Sequence, residues 1–582
     1  SLERVVREKI QGNSLQTTDL AARINYVATQ YGLDLKEQNQ LHTFRLTSND
    51  ILNHRKSPVK EEFLRDLRAV AYAYRKMFAQ DIPLKLFSVL PKQEIASSGK
   101  KEKMEYIRRI RVCFDYADDT YLYVHPVDVI ADEPIRVVYN KPGINHEFEE
   151  TIKELWRYAQ LNLLDVSVDR DGIYTPSFIV LEPDYLIDIS SLAECYKDYG
   201  SHPANYFLSR LVPIDNARPL LLGNIANLFL DEWIHAGEKE PDYIDCMKKA
   251  FRQYPIELAA CAELRDPSKE KEFAKDCRMH FEHIRDVVQH TFLEPGYNLD
   301  KKEAVLEPSY ICEALGIQGR LDYMQRDMSS FIEMKSGKAD EFSMQGKVEP
   351  KENNKVQMLL YMAVLEYSMG QDRRRMHPYL LYTRYPLLYP ARASWAQVRR
   401  VINLRNRIVA AEYGVQFHNH PDFTRNLLAQ INPEVVNERK LSGRFWEQYL
   451  KPSISRFREK LSALEPLEQA YFYTLYNFIT KELYTSKSGD VDYEGRAGAS
   501  ALWLSTLDEK REAGEILYDL QIMENRASQA HKAYILLSIP QYDEMFLPNF
   551  RTGDVVVLYE RNNDLDNATN KMVFKGNIEQ IT

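Results

Sequence analysis

The stretch that most restricts the fold of this 582-residue chain is IQGRLDYMQRDMSSFIEMK, residues 317–335. Apolar and polar residues alternate from Ile317 to Met324, the run from Gln325 to Ser330 is mostly polar, and alternation resumes from Phe331 to Lys335. This predicts a strand with Asp322 near its end, a turn, and a second strand. On the second strand Glu333 and Lys335 share a face, and a hairpin carries Asp322 to the same spot, so two carboxylates and an ammonium converge at a sheet edge. The bland alternative is a salt-bridged hairpin facing solvent. Charged residues make up 28% of the chain, and a lone D-x(10)-E-x-K arises easily by chance.

The segment after the hairpin argues for chemistry. KVQMLLYMAVLEY has helical periodicity, with Gln357 and Tyr361 one turn apart on a single face that can reach the convergence point. Oxygen donors from Asp322, Glu333 and the carbonyl of Met334 suit Mg2+ or Mn2+, ions that keep water positions open for a phosphate. Such an ion polarises a phosphodiester and acidifies water, while Lys335 orients that water or offsets charge in the transition state. Metal-dependent phosphodiester hydrolysis is therefore expected, with Asp322, Glu333, Lys335, Gln357 and Tyr361 at its centre. A G-x-S-x-G elbow and a cysteine nucleophile signature are both missing from the sequence. SSGKKEK and KSGKADE lack the first glycine and the final hydroxyl of a phosphate loop, so this chain by itself is not expected to hydrolyse ATP.

Around this segment the texture of the chain changes several times. Residues 1–90 carry helical periodicity, as in Phe63, Leu64, Leu67, Val70, Ala71 and Tyr74. Residues 91–184 hold β-branched and aromatic runs broken by Asp-Asp and Asn-Lys-Pro-Gly, which predicts a small β-rich domain. Residues 185–430 alternate strands and helices, residues 431–535 are again helical, and residues 536–582 end in two strands of a small barrel-like segment joined by a hairpin. The expected class is α/β and multi-domain, large enough to bury several cores without disulfides. Six cysteines with no C-x-x-C pair point to reduced thiols. No apolar run reaches the ~18–20 residues that span a bilayer, and the N-terminus lacks a secretory apolar core, so a soluble, cytoplasmic chain with no membrane partner is expected. A formal net charge of −9 confines any nucleic-acid contact to a local groove.

GRLDY, IEMKSGK and QMLLY together resemble the PD-(D/E)XK nuclease superfamily and, within it, the RecB-like branch, whose motifs run G-x-x-D, D/E-x-K and Q-x-x-x-Y. The resemblance covers residues 185–410. It implies a mixed-sheet nuclease core in which Gly319 opens the first of these motifs, Asp322 and Glu333 bind metal, Lys335 assists the attacking water, and Gln357 and Tyr361 support the site or the DNA backbone. Upstream, LLGNIANLFLDEWI resembles the branch's leading motif, with Gly223, Asn227 and Asp231 on one helical face. The branch has His where this chain has Asn227. A carboxamide is a far poorer ligand than imidazole, which leaves Asn227 an accessory hydrogen bond to water or phosphate, or simply a place on an ordinary amphipathic helix. LEPDYLIDISSLAECY, LRNRIVA and the terminal FRTGDVVVLYE with FKGNI resemble the nuclease modules of helicase-nucleases that trim flaps in replication and repair. That implies single-stranded or flap DNA as partner and a helicase motor beyond Thr582. Many such modules hold an iron–sulfur cluster on four cysteines. Here Cys195 lies near the first position but no cysteine follows Cys312, so no cluster is expected.

Lys338, Arg320 and Arg373 are the cations expected on DNA. Arg374, Arg375, Arg399, Arg400, Arg405 and Arg407 fit phosphate contacts or a solvated face equally well. Cys277, His280 and His283 recur every three residues and could gather as metal ligands, although no fourth is evident. The reading from a different class is a catalytically idle nuclease fold that binds DNA or scaffolds other subunits.

Overall fold

The structure is a computed structural model that describes residues 2–10, 19–52, 56–91, 106–128, 133–212, 218–297, 299–341, 348–392, 394–489, 498–527, 533–542, 548–563 and 565–581. The chain is mixed α/β and multi-domain. Among the described residues no helix is long and apolar enough to cross a membrane.

The N-terminal periodicity becomes the helices Leu2–Ile10, Leu20–Gln30, Leu35–Leu52 and Lys60–Phe78. Asp19 starts the second of them by accepting the Ala22 amide at 3.0 Å. Val6, Ile24, Val27, Leu41 and Met77 close a small core that Cys113 of the following sheet and Tyr158, in the turn before Gln160–Val168, complete. In that sheet Tyr106–Ala117 pairs antiparallel with both Tyr121–Pro126 and Gln160–Val168. Pairing continues through Ile135–Val138 and Tyr174–Thr175 back to Gln160–Val168, so these strands close into a ring that carries Phe178–Leu181 as a sixth strand.

The central region holds two five-stranded sheets. The first has the order Leu387–Pro390, His377–Tyr382, Ser330–Lys335, Tyr323–Gln325, Ala304–Leu306. Ser330–Lys335 and His377–Tyr382 run parallel, and a parallel pair needs a long crossover, which the helix Glu352–Met369 supplies. Alternation along Ser330–Lys335 turns Phe331 into the core shared with the crossover helix. Ile332 and Met334 enter the opposite core, against the helices Arg218–Ile234 and Pro267–Gln289.

The second sheet corrects two expectations. Its order is Val555–Tyr559, Val573–Asn577, Ser309–Cys312, Ile317–Arg320, Ile187–Asp188. The run from Ile317 to Met324, expected as one strand, breaks at Leu321–Asp322: Ile317–Arg320 lies in this sheet and Tyr323–Gln325 in the other. The antiparallel neighbour bends at the same place, between Ala304–Leu306 and Ser309–Cys312. There Glu307 adopts a φ of 50° and Pro308 has no amide to continue a ladder. The Leu321 amide donates to the Pro308 carbonyl at 3.0 Å and the Glu307 amide to the Asp322 carbonyl at 3.1 Å, so the ladder turns the corner intact. The terminal strands form their hairpin but do not close as a separate barrel. They extend the central sheet, with Val573 paired to Ser309.

One continuous apolar core runs from the 106–181 sheet through the crossover helix to the helices Trp395–His418 and Pro466–Ser488. Arg405, fully buried, ties it together. Its guanidinium donates to the carbonyls of Leu181, Glu182, Tyr185 and Gly316.

Candidate active site

Because side chains alternate along Ser330–Lys335, Glu333 and Lys335 follow Phe331 toward the crossover helix. Asp322 arrives from the corner between the sheets. Its Oδ2 accepts the Met334 amide at 2.6 Å, taking the place of a ladder partner where Tyr323–Gln325 has already ended. The N–H and C=O of one strand residue leave on the same side, so the Met334 carbonyl shares that edge with Asp322.

Lys335 Nζ donates to Glu333 Oε1 at 2.8 Å and to Gln357 Oε1 at 2.8 Å, while Gln357 Nε2 donates to Glu333 Oε1 at 2.6 Å. The structure thus brings together four of the expected residues, Asp322, Glu333, Lys335 and Gln357. Tyr361, one turn further, points its hydroxyl at the Arg320 carbonyl at 2.5 Å and so fixes the corner rather than touching a carboxylate. Gly319 is needed for that contact, because a Cβ there would lie 2.9 Å from the Tyr361 ring and 3.0 Å from Ile189 Cδ1.

The electrostatics favour a cation. Burial, and then the Asp322 charge, push Glu333 up to about 8. Burial also raises Asp322 against the pull of Lys335 and the Met334 amide. Burial disfavours the Lys335 ammonium, yet the two carboxylates hold it above its ordinary value. Glu333 Oε2 is buried with no hydrogen-bond partner among the described residues, a costly state for a carboxylate oxygen. Oxygen donors from Asp322, Glu333 and the Met334 carbonyl fit Mg2+ or Mn2+, and a divalent ion there would satisfy the orphaned oxygen. Among the described residues no group of three His, Cys, Asp or Glu side chains could hold a metal ion. The protein side of such a site is therefore two carboxylates and a carbonyl, with the other positions left to water and substrate oxygens.

The helix Arg218–Ile234 approaches from the opposite core. A Cβ at Gly223 would sit 3.3 Å from Ser336 Oγ, just past Lys335. Asn227 lies half-buried between Gly223 and Asp231 on that face. Asp231 feels the site directly: burial, then Glu307 and Asp322, push its carboxyl up to about 7. Glu307 was not singled out from the sequence. It brackets the corner and pairs with Arg320 at 3.1 Å. The only local signal for it is the acidic residue before Pro308. Lys338 is exposed three residues beyond Lys335.

Arg373, expected on DNA, and three of the arginines left open between phosphate and a solvated face are paired with carboxylates. Arg373 pairs with Glu366 and with Asp165 and lies 3.9 Å over the Trp395 ring, so its guanidinium braces the crossover helix against the 106–181 sheet rather than facing a phosphate. Arg399 pairs with Glu147 and Arg407 with Glu154, and Arg374 is held by the neighbouring Asp372. Among the described residues the Cys277, His280, His283 series does not gather as a metal-holding group. Cys277 and His280 are buried in the core, burial pulls His280 down to about 4, and His283 Nδ1 lies 3.0 Å from the Thr383 carbonyl. All six cysteines are free and buried, Cys195 and Cys312 included.

Searched against known proteins, the chain matches no family model and no curated protein.

Proposed function

We propose that this chain is a divalent-metal-dependent deoxyribonuclease of the RecB-like PD-(D/E)XK kind. It hydrolyses phosphodiester bonds in single-stranded or flap DNA, as the nuclease portion of a repair or replication helicase-nuclease inside the cell. The observation that carries this reading is the buried, unpartnered Glu333 Oε2 beside Asp322, with Lys335 held in place by Gln357. Asp322, Glu333 and the Met334 carbonyl would hold Mg2+ or Mn2+, which when bound supplies Lewis acidity to the phosphate and lowers the pKa of water. Lys335 donates a hydrogen bond to the attacking water and offsets charge on the phosphate as it becomes five-coordinate. Gln357 keeps the Lys335 ammonium from swinging to solvent, and Tyr361 keeps the strand corner that carries Asp322 in register. Arg320 and Lys338 are the cations expected on the DNA backbone. End-labelled single-stranded and flap DNA, incubated with Mn2+ or Mg2+, should yield products that disappear with EDTA and in Lys335→Ala. Binding without cleavage in either metal would defeat the proposal.

A second reading, an idle nuclease fold that binds DNA or scaffolds, draws on Asn227 and on the lack of a third carboxylate or imidazole ligand among the described residues. Calorimetric titration with Mn2+ separates the two. The nuclease binds the ion and Asp322→Ala does not, whereas a scaffold shows no difference.

A further inference from the structure

A cavity of about 560 Å3 opens between the helix Leu20–Gln30, the 154–158 segment, the C-terminal half of Trp395–His418 and the helix Pro421–Ala429. Its size falls within the roughly 300–1,000 Å3 of small-ligand sites. One wall is a column of near-parallel rings. Trp156 lies on Tyr413 with centroids 3.6 Å apart and planes 3° apart, and Tyr413 lies on Phe417 at 5.6 Å and 14°. The middle ring is buried, whereas Trp156 and Phe417 at the ends of the column are half-buried, and all three line the cavity. Phe423 closes in from the side because residue 414 is glycine; a Cβ there would overlap its ring.

Two guanidiniums stand at the same cavity. Arg407 Nε is 3.4 Å from Glu154 Oε1, a long contact that a stronger anion can displace. Arg157 is held by Asp115 at 2.8 Å and rests 5.1 Å from the Tyr158 ring centroid. A flat ring surface beside a loosely held guanidinium is the chemistry that recognises a planar heteroaromatic carrying phosphate. Stacking is tolerant of ring identity, and arginine meets phosphate through paired N–H donors.

We propose that this cavity binds a nucleotide, with its base stacked on the Trp156–Tyr413–Phe417 column and its phosphate at Arg407. The nucleotide can be free or part of a single strand, and the inference is independent of the hydrolytic site. The test uses the full chain in EDTA, with ethenoadenosine monophosphate as one probe and a single-stranded oligonucleotide carrying one 2-aminopurine as the other. Expected is quenching of at least one probe on binding, with affinity weakened about tenfold or more in Trp156→Leu and in Arg407→Gln. Replacing the 2-aminopurine strand by an abasic strand should cost a similar factor for a strand-bound nucleotide. Quenching of the mononucleotide alone identifies a free ligand; quenching of both, with each displacing the other, identifies one subsite that also takes a strand. Arg407→Gln alters a half-buried side chain whose one ion pair is long, and decides the matter even if Trp156→Leu does not fold. No quenching of either probe at millimolar protein-to-ligand conditions, or affinities unchanged in both variants, overturns the proposal. Loss of cleavage with nucleotide binding intact would sink the nuclease reading and leave this one standing.

Discussion

Glu333 is held in conflict with its surroundings: one oxygen takes two hydrogen bonds from Lys335 and Gln357, and the other takes none among the described residues. In metal-free protein its carboxyl is raised from the ordinary 4.5 to about 8. Across that window the folded chain keeps a proton that the unfolded chain has released, so stability is greatest at the acid end and declines as pH rises toward about 8. Melting curves in EDTA should show this decline, to which Asp231 and Glu182, raised to about 7 and about 8, also contribute, and Glu333→Gln should lessen it; an unaltered slope in the variant would refute the assignment. Gly319→Ala should cost about 1–3 kcal/mol in urea denaturation, because the new methyl must displace Tyr361 or Ile189. At this scale the clustering of Glu333, Lys335 and Gln357 was legible in the sequence, since their shared faces follow from strand and helix periods, while Asp322 joins them from a corner that those periods do not mark. The arginines were not. Whether Arg373 meets a phosphate or Glu366 depends on where Asp165 and Trp395 end up, and no local pattern around residue 373 encodes that.

The crossover helix Glu352–Met369 does two jobs: it joins two parallel strands, and it delivers Gln357 onto the face that carries Glu333 and Lys335. Gln357→Ala leaves every expected metal donor in the chain and removes the clamp on Lys335 together with one hydrogen bond to Glu333 Oε1. Outer-shell partners of this kind typically cost about 10–100-fold when lost, so single-turnover cleavage should slow by that factor while Mn2+ affinity changes less. Equal loss of both would mean that Gln357 shapes the metal position itself. The helix and the strand before it could be anticipated from hydrophobic spacing; the strand after it, His377–Tyr382, was not singled out. The sheet corner could not, because alternation passes through Leu321 and Asp322 without interruption. The bend is imposed from the neighbouring strand, by the backbone of Glu307 and by Pro308, and only the pairing register reveals that these two places meet.

At the scale of the whole molecule, Arg405 links segments remote in the chain, reaching the Leu181 carbonyl 224 residues away. Arg405→Leu takes the guanidinium away from four carbonyls, of which Glu182 and Gly316 keep a backbone amide, and a loss of roughly 3–5 kcal/mol is expected in equilibrium urea unfolding. Because one core is continuous from the 106–181 sheet to Pro466–Ser488, the fluorescence of Trp156, Trp395 and Trp446, which belong to it, should change in one transition; separate transitions for these three, read in single-tryptophan variants, would contradict a shared core. The mixed α/β class was readable from the changing texture of the sequence, but the docking of the terminal hairpin on the central sheet was not, since strand patterns do not name their partners. That docking has a mechanical meaning. Val573 pairs with Ser309, and Ser309 pairs on its other side with Arg320, two residues before Asp322. The C-terminal strand and the carboxylate corner are thus coupled in series through one row of backbone, so tension applied at the end of the chain is felt as a tug on the residue expected to grip the ion.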